Sequence, residues 1–326
     1  MNLSSKTPHL LSGLLLPALL SVDAVANERS LTPNIRDRVN SSIGRSAEVF
    51  SILGSNQGPT SGIYNSKADL DAELKITKFA GTIDFSARQL SDSVDLVPFV
   101  DLGIAFGSAE NELEGPLDGD RNDYDSFIAS IGGGTKFRFG DRLSISPGMG
   151  FVFAHTDNDY DPHSRLGKEI LRELDETAVN WDANSISYVP NIAGAYEWST
   201  GPVDFIIESR YSYYATRILD GGRDTDGIST DSQVLSARIA GEFPLGISVA
   251  GVPLRSELAY GRVQMFGDIN DTLRTDYYNI VGAKILTRKT DRIPILEYIG
   301  VEGRYFWGDE FDGWSLGLTL SLNDKE

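Results

Sequence analysis

The sequence predicts an all-β fold, a transmembrane antiparallel up-and-down β-barrel of twelve strands, and three observations support it. The stretch Gly313–Leu322 alternates strictly between apolar and small or polar residues, so one face of the strand is wholly apolar. Eleven earlier segments alternate in a similar way, and the chain begins with an export signal. A membrane barrel requires this alternation, because one face of each strand meets lipid and the other faces the lumen. A soluble secreted barrel or sandwich is the alternative.

Residues 1–26 predict a cleaved secretory signal peptide. A short polar start precedes an apolar stretch from Leu10 to Leu20, and small residues at Ala24 and Ala26 make Asn27 the first mature residue. An N-terminal anchor is the alternative, but the apolar stretch is too short to span a bilayer. An exported barrel belongs in the bacterial outer membrane, where lipid and lipopolysaccharide surround it.

The composition excludes several classes of function. The chain has no cysteine, which rules out disulfides and thiolate metal sites. Its formal net charge of −18 at pH 7 disfavours nucleic acid as a partner, because binding to phosphates relies on clustered Lys and Arg. Hydrophobic residues make up 40%, too few for a helical membrane protein but ordinary for a barrel. We expect no cofactor.

The mature chain divides into a helical segment with a linker, residues 27–65, and a barrel, residues 66–326. Thr32 and Pro33 form an N-cap followed by proline at the first helical position. Apolar residues then recur at helical spacing, namely Ile35, Val39, Ile43, Ala47 and Phe50. Residues 55–65 are rich in Gly, Ser, Asn and Pro, which indicates a linker.

Twelve segments with period-two alternation fill the barrel region. They lie near residues 68–79, 81–90, 97–107, 127–139, 143–153, 186–198, 203–213, 235–243, 253–264, 277–285, 299–307 and 313–322. Long polar connections at Ser108–Tyr124, Thr156–Ser185 and Arg217–Asp231 alternate with shorter ones, and Lys168–Val179 predicts a short helix in the second. Short periplasmic turns and long extracellular loops are typical of outer-membrane barrels, so we expect both termini in the periplasm.

Aromatic residues fall at both ends of the predicted strands. The periplasmic ends carry Phe99, Phe139, Trp198 and Phe243, and the extracellular ends carry Phe153, Tyr213, Trp307 and Trp314. Two aromatic girdles of this kind mark the interfaces of a barrel in lipid.

The last strand also resembles an assembly signal. Gly317, Leu320 and Leu322 fit the glycine-x-x-apolar-x-apolar pattern that ends many bacterial outer-membrane proteins. The chain departs from that pattern by ending in residues 323–326, which include no aromatic terminus. The resemblance implies the barrel-assembly machinery and periplasmic chaperones as partners.

The helix, the linker, the twelve strands and the terminal signal together resemble the translocator barrel of the autotransporters, over Pro33 to Leu322. In that family an N-terminal helix lies in the pore of a twelve-stranded barrel, although a helix outside the pore is the alternative here. Residues 27–32 leave no room for a secreted passenger. The resemblance therefore implies a solitary, non-enzymatic barrel with a structural or pore-forming role.

Charged residues of both signs lie on the predicted inner faces of the strands. They are Asp84, Arg88, Lys136, Arg138, Glu208, Arg210, Arg238, Glu242, Glu302 and Arg304. A wet lumen holds such residues, whereas a lipid face would impose a cost of about 2–4 kcal/mol for each Arg or Lys near its centre. One hypothesis is that lumen acids pair with Arg36, Arg38 and Arg45 and seat the helix as a plug. The other is a solvated wall, which favours a porin-like channel for small solutes.

Acidic residues crowd the predicted extracellular loops. Between Glu110 and Asp125 seven acids face Arg121 alone, a segment charge of −6. Asp118 and Asp120 begin like a calcium loop, but position twelve is Ala129, where an EF-hand needs a bidentate acid. A solvated acidic surface, bridged to lipopolysaccharide by divalent cations, is the alternative.

A surface hydrolase is the third hypothesis for function. Only His155 and His163 follow the signal peptide, and both lie in or beside one acidic loop. His163, Ser164 and Asp161 supply the residue types of a nucleophile, a base and an orienting acid, but near neighbours on a loop rarely converge on one substrate atom.

Overall fold

A computed structural model describes residues 43, 46–55, 61–66, 72–113, 117–174, 179–221, 228–249, 251–288 and 296–322. Residues 46–54 form helix α1. The other helices are α2 (Arg165–Leu174) and α3 (Asp268–Leu273). The strands are β1 (Gly62–Ser66), β2 (Ala72–Asp84), β3 (Arg88–Ser91), β4 (Val94–Glu110), β5 (Arg121–Phe139), β6 (Leu143–Asp161), β7 (Asp182–Thr200), β8 (Val203–Gly221), β9 (Ser229–Val249), β10 (Val252–Gly267), β11 (Tyr277–Arg288), β12 (Leu296–Gly308) and β13 (Phe311–Leu322).

The strands form one closed antiparallel sheet. From β4 to β13 each strand pairs with its neighbour in sequence, β13 pairs with β1, and β1 pairs with β2. Strand β2 also pairs with β4, which closes the barrel. Strand β3 pairs with the part of β4 that β2 does not reach, so β2 and β3 together occupy one position in the wall. The prediction of a twelve-stranded up-and-down barrel is confirmed.

The division of the first strands was predicted wrongly. Strand β2 runs without a break through Asp84, so the predicted segments 68–79 and 81–90 belong to one position in the wall. The remaining position is β1, inside the segment whose composition indicated a linker. Backbone pairing on both sides places this five-residue strand, since Gly62 lies opposite Ser315 and also opposite Ile76. A Cβ at Gly62 would lie 2.5 Å from the carbonyl oxygen of Trp314.

The strands carry an apolar belt on their outer faces. In β4, Leu102, Ile104 and Phe106 are exposed, whereas Asp101 and Ala105, at the alternate positions, are buried. In β6 the apolar outer residues run from Leu143 to Phe153. At about 3.4 Å per residue and a tilt of about 40°, that run is roughly 25 Å tall, which matches the belt of a barrel in lipid.

Aromatic pairs border this belt at both ends. Trp198 stacks on Phe205 with ring centroids 5.1 Å apart at one end, and Trp307 stacks on Tyr305 at 5.9 Å at the other. The prediction for Phe99 was wrong, because this ring points into the barrel and is 8% exposed. Gly134 makes room for it, since a Cβ there would lie 2.8 Å from the end of the Phe99 ring.

The connections sort by length only in part. Four connections at one end span two or three residues, 92–93, 140–142, 201–202 and 250–251, whereas the fifth, 289–295, spans seven, as many as 222–228 at the opposite end. The opposite end carries residues 111–120, 162–181, 222–228 and 268–276, with the short turn 309–310 as the exception. The second of these long loops contains α2, where a helix was predicted. None of the described helices is long and apolar enough to cross a membrane.

Helix α1 lies inside the barrel, at the end that carries the long loops. Ala47, Phe50 and Leu53 are buried in one apolar cluster with inner residues of the strands, including Ile128. The Phe50 ring fills the space beside Gly107, where a Cβ would lie 2.7 Å from a ring carbon. The prediction of a helix in the pore is therefore confirmed for the described part of the segment.

Candidate functional site: a lumen closed at the long-loop end

The lumen is open space at one end and filled at the other. A cavity of about 1940 Å³ reaches from the tight turn at Gly140 up to the underside of α1 at Ile52 and Leu53. Tyr214 and Tyr278 complete its upper boundary. Above this level the inner side chains of the strands, α1 and α3 form the buried apolar cluster. The barrel is therefore hollow in its tight-turn half and packed in its long-loop half.

Most of the predicted lumen charges border the cavity. Its lining includes Lys136, Arg138, Glu208, Arg210, Arg238 and Arg304. Glu242 and Glu302 lie on the same inner face of β9 and β12, within ion-pair networks. Arg36, Arg38 and Arg45 lie outside the described residues, so their pairing with lumen acids stays a prediction.

These charges form networks across neighbouring strands. Arg238 lies opposite Glu208 and donates to it at 2.6 Å, and its other terminal nitrogen donates to Glu257. Lys284 lies opposite Glu257, with Nζ 3.4 Å from Oε1, and is also opposite Glu302 on β12. Ion pairs thus link β8, β9, β10 and β11, and Glu302 extends the row of alternating charges to a fifth strand, β12, so the lumen side of the wall is polar.

Other networks lie nearby. Lys136 on β5 pairs with Asp84 on β2 at 2.6 Å. Arg255 on β10 pairs with Glu242 and, at 2.8 Å, with Asp204. Arg255 was not predicted as a lumen residue, because the apolar alternation of its strand is weak. Arg255 and Glu257 are two residues apart in that strand, so their side chains lie on the same face. This spacing is the sequence signal that could have identified both as lumen residues.

Among the described residues, apolar contacts dominate the seating of α1. Val49, Phe50 and Ile52 are each at most 4% exposed. Two polar contacts fix the end of the helix, since Lys78 Nζ donates to the Ser55 carbonyl at 2.9 Å and the Ser55 hydroxyl lies 3.1 Å from the Tyr214 hydroxyl. Burial of each large apolar side chain stabilises the seated helix by about 1.5–3 kcal/mol.

Glu48 is an exception on this helix. Its side chain is 0% exposed and neither carboxyl oxygen has a hydrogen-bond partner. Burial, followed by the negative charges of Asp268 and Asp231, raises its pKa to about 8. The Thr230 and Ser232 hydroxyls lie near enough to favour the ionised form, but neither makes a hydrogen bond of good geometry to the carboxyl group, so they oppose this shift only partly. These neighbours lie at the long-loop end of the barrel, above the apolar belt that begins at Leu235 on β9.

Asp120 joins two of the long loops. Its carboxylate accepts hydrogen bonds from the Tyr160 hydroxyl at 2.8 Å, the Ser164 hydroxyl at 2.8 Å, and the backbone N–H groups of His163 and Ser164. Ser164 in turn accepts from Gly167 N–H, which caps α2. Burial alone would raise the pKa of Asp120, but these hydrogen bonds outweigh it and lower the pKa.

The residues proposed for chemistry in the loops are not brought together. The Ser164 hydroxyl donates to Asp120, whereas His163 lies 3.9 Å from Asp161. His155 contacts Asn184 at 3.0 Å and Asp157 at 3.3 Å on the outer face of β6. Asp120 directs its oxygens to protein donors, and the described residues contain no group of three or more His, Cys, Asp or Glu arranged to hold a metal.

The assembly-signal residues all lie in β13. Gly317 is opposite Glu302, Leu320 is opposite Ile299, and Leu322 is opposite Leu296. A Cβ at Gly317 would meet no atom within 4 Å, so packing within the barrel does not require glycine there. Recognition of this strand by an assembly partner stays a prediction.

Acidic residues form rows on the outer face above the apolar belt. Asp157 lies directly opposite Asp125 on β5 and opposite Asp182 on β7, and Asp159 lies opposite Asp123. Like charges in directly opposite positions destabilise a sheet. The sequence predicted an acidic surface here, and the strand register places its carboxylates directly opposite one another.

Replacing Asp157 should therefore stabilise the barrel. Asp157→Asn removes one charge from the row of three, and we expect the free energy of unfolding to rise by roughly 0.2–1 kcal/mol. Urea unfolding of the detergent-extracted protein at low salt, with chelator present, measures it. Asp161→Asn is the matched control, because Asp161 lies opposite Arg121 and its loss should have the reverse sign. A lower unfolding midpoint for Asp157→Asn would contradict the repulsion.

Comparison with known proteins agrees with this architecture. The model of the solitary outer membrane autotransporter beta-barrel domain matches residues 66–321. The β domain of the Bordetella autotransporter BrkA is similar in structure, with a TM-score of 0.53, 13% identity, and coverage of 79% of this chain and 94% of that one. The transport unit of AIDA-I from Escherichia coli gives a TM-score of 0.50 at 11% identity, covering 87% and 98%. At these identities the likeness shows the fold.

Comparison with curated proteins gives no match. The family model nevertheless covers most of the chain, and the match includes strands β2 to β13. Membership of the family implies the outer membrane as the location. The chain belongs to the solitary outer-membrane autotransporter β-barrel family.

Proposed function

We propose that this protein is a non-enzymatic, pore-forming barrel whose pore is kept closed at its extracellular end by α1 and the long loops. The observation that carries this proposal is the position of α1, whose side chains Phe50, Ile52 and Leu53 fill the long-loop half of the lumen. Directly below lies the charge-lined cavity of about 1940 Å³, of the kind that a water-filled lumen tolerates. A porin-like channel needs a passage through both halves, and α1 stands across it.

The remaining features support a role without chemistry. Ser164 and the two histidines that follow the signal segment have structural or surface contacts in place of a shared site. We expect outer-membrane lipid and lipopolysaccharide to contact the outer belt and the acidic rows, with divalent cations bridging the latter. The barrel-assembly machinery and periplasmic chaperones are the expected partners of β13.

Planar-bilayer recording tests the closed pore. The full mature chain should give small or rare currents, whereas a variant lacking residues 27–60 should give large, long-lived ones, because the deletion removes α1. Heat-modifiable gel mobility of both proteins verifies that each forms a folded barrel. Equal, large currents from both forms would contradict the plug and favour the porin-like alternative.

A further inference from the structure

Glu48 is the single titratable side chain among the described residues of the α1 region, 46–55. The other helical side chains there are apolar, or are small like Ser46 and Ser51. A fully buried carboxyl group with two unpartnered oxygens contributes nothing to seating the helix when it is ionised. A buried ionised group without partners is strongly unfavourable, so its protonation state bears directly on whether α1 stays in the lumen.

The surroundings of Glu48 favour its neutral form. Strand β9 contributes Thr230, Asp231 and Ser232, and α3 contributes Asp268. The two charged members of this set are both acids. Tyr213 and Tyr214 on β8 also lie close enough to interact electrostatically with an ionised Glu48.

Two hydrogen-bond donors of this shell already serve other acceptors, which leaves the Thr230 and Ser232 hydroxyls to favour an ionised Glu48. The backbone N–H of Asp231 donates to Asp268 at 2.9 Å, and the Tyr213 hydroxyl donates to Asp231 at 2.7 Å. The Ser232 hydroxyl oxygen accepts from the Ile269 N–H at 2.9 Å. An ionised Glu48 would therefore face two carboxylates with few donors to compensate, whereas a protonated Glu48 adds no charge and brings a donor of its own.

We propose that Glu48 is a proton-operated latch, which holds α1 in the pore when it is protonated and releases the helix when it is ionised. The proposal rests on the closed pore proposed above and names deprotonation of Glu48 as the event that opens it. The control is located at the extracellular rim, because the groups around Glu48 belong to α3 and the start of β9. The solution outside the cell thus supplies the signal.

The pH window follows from the direction of the shift. Burial, followed by the nearby charges of Asp268 and Asp231, raises the pKa of Glu48 from 4.5 to about 8 in the seated helix. The favourable contribution to seating is fully present below about pH 4.5 and is lost as the pH rises through about 8. Within that window the seating equilibrium weakens by up to about tenfold per pH unit, and above it the equilibrium is flat.

Single-channel recording of the full chain at pH 5, 7 and 9 tests the latch. The wild-type open probability should rise with pH, whereas Glu48→Gln, which keeps the shape and cannot ionise, should stay closed at every pH. Ser51→Ala is the control on the same helix and should keep the wild-type pH dependence. A wild-type protein that does not respond to pH, or a Glu48→Gln variant that responds like wild type, would overturn the latch.

A second readout separates this proposal from the pore itself. Hydrogen exchange of the helix amides in residues 46–54 should be slow at pH 5 and relatively faster at pH 9 after correction for intrinsic exchange, and slow at both in Glu48→Gln. If the variant lacking residues 27–60 conducts no current, the pore proposal fails, yet exchange still decides the latch. Equal corrected protection in wild type and Glu48→Gln at pH 9 would refute the latch even if the pore conducts.

Discussion

Gly107→Leu should open the pore without unfolding the barrel. Gly107 is on the inner face of β4, and even a Cβ there would lie 2.7 and 2.8 Å from two ring carbons of Phe50. Phe50 is 3% exposed and packed in the apolar cluster, so a leucine side chain, which is much larger than a single Cβ, should displace the ring and α1 with it. Overpacking of this kind costs about 1–3 kcal/mol, and it falls on the contact between the helix and the wall.

The measurement is the current of the full chain in a planar bilayer at pH 6, beside the gel mobility that reports barrel folding. We expect long-lived openings in Gly107→Leu comparable with those of the chain lacking residues 27–60. Gly150→Ala is the matched control, because Gly150 is also an inner-face glycine of a long strand, but a Cβ there makes an ordinary contact of 3.5 Å. A folded Gly107→Leu barrel that stays closed would show that α1 is not the gate.

The alternation of side chains predicts the barrel because its physical cause is local. A strand such as β4 must present one face to lipid and the other to the lumen, so the spacing of Leu102, Ile104 and Phe106 directly records the outer face. Strand β1 has no such record in its sequence. Its five residues hold their place through backbone hydrogen bonds to β13 and β2 and through one buried ring, Tyr64, which stacks on Phe311 with centroids 5.6 Å apart. One buried residue in so short a strand leaves no alternating pattern to detect.

The functional features depend on contacts that no local pattern contains. Helical periodicity predicts that Ala47 and Phe50 face a core, but it gives no sign that Glu48 beside them is buried as well. That burial arises because α3 and the start of β9 cover the remaining side of the helix. Parity along a strand assigns charged residues to its inner face, whereas their partners, such as Glu257 for Arg238, require the register between strands.

The role of Asp120 also depends on contacts that its local sequence does not contain. In the sequence, Asp118 and Asp120 begin like a calcium loop, although the acid expected at position twelve is replaced by Ala129. In the folded chain Asp120 is fully buried, and its donors come from Tyr160, His163 and Ser164, some forty residues away. A carboxylate with several protein donors acts as the centre of a loop junction, and the composition of its own loop could not indicate that.

Asp120→Ala should therefore detach the two longest described loops from each other. The substitution leaves the Tyr160 hydroxyl and the Ser164 backbone without their acceptor, and hydrogen bonds to a charged group contribute about 1.5–3 kcal/mol each. Since these bonds share one acceptor, we expect a local loss of roughly 3–5 kcal/mol. Surface proteolysis of whole cells should then cut near α2 at least tenfold faster, while the barrel keeps its gel mobility.

Acid should reproduce this effect in the wild-type protein. Because its hydrogen bonds lower the folded-state pKa of Asp120, the loop junction is fully stabilised above the ordinary carboxyl pKa of about 3.9 and loses that stabilisation as the pH falls through the folded value. Asp118→Ala is the matched control, since Asp118 is exposed in the same loop and should leave cleavage unchanged. Equal cleavage of Asp120→Ala and Asp118→Ala would mean that other contacts hold the loops together. If the loops detach while α1 stays in the lumen, the pore has two independent closures. The outer closure is the loop junction, which depends on an ionised Asp120, and the inner closure is α1, which depends on a protonated Glu48.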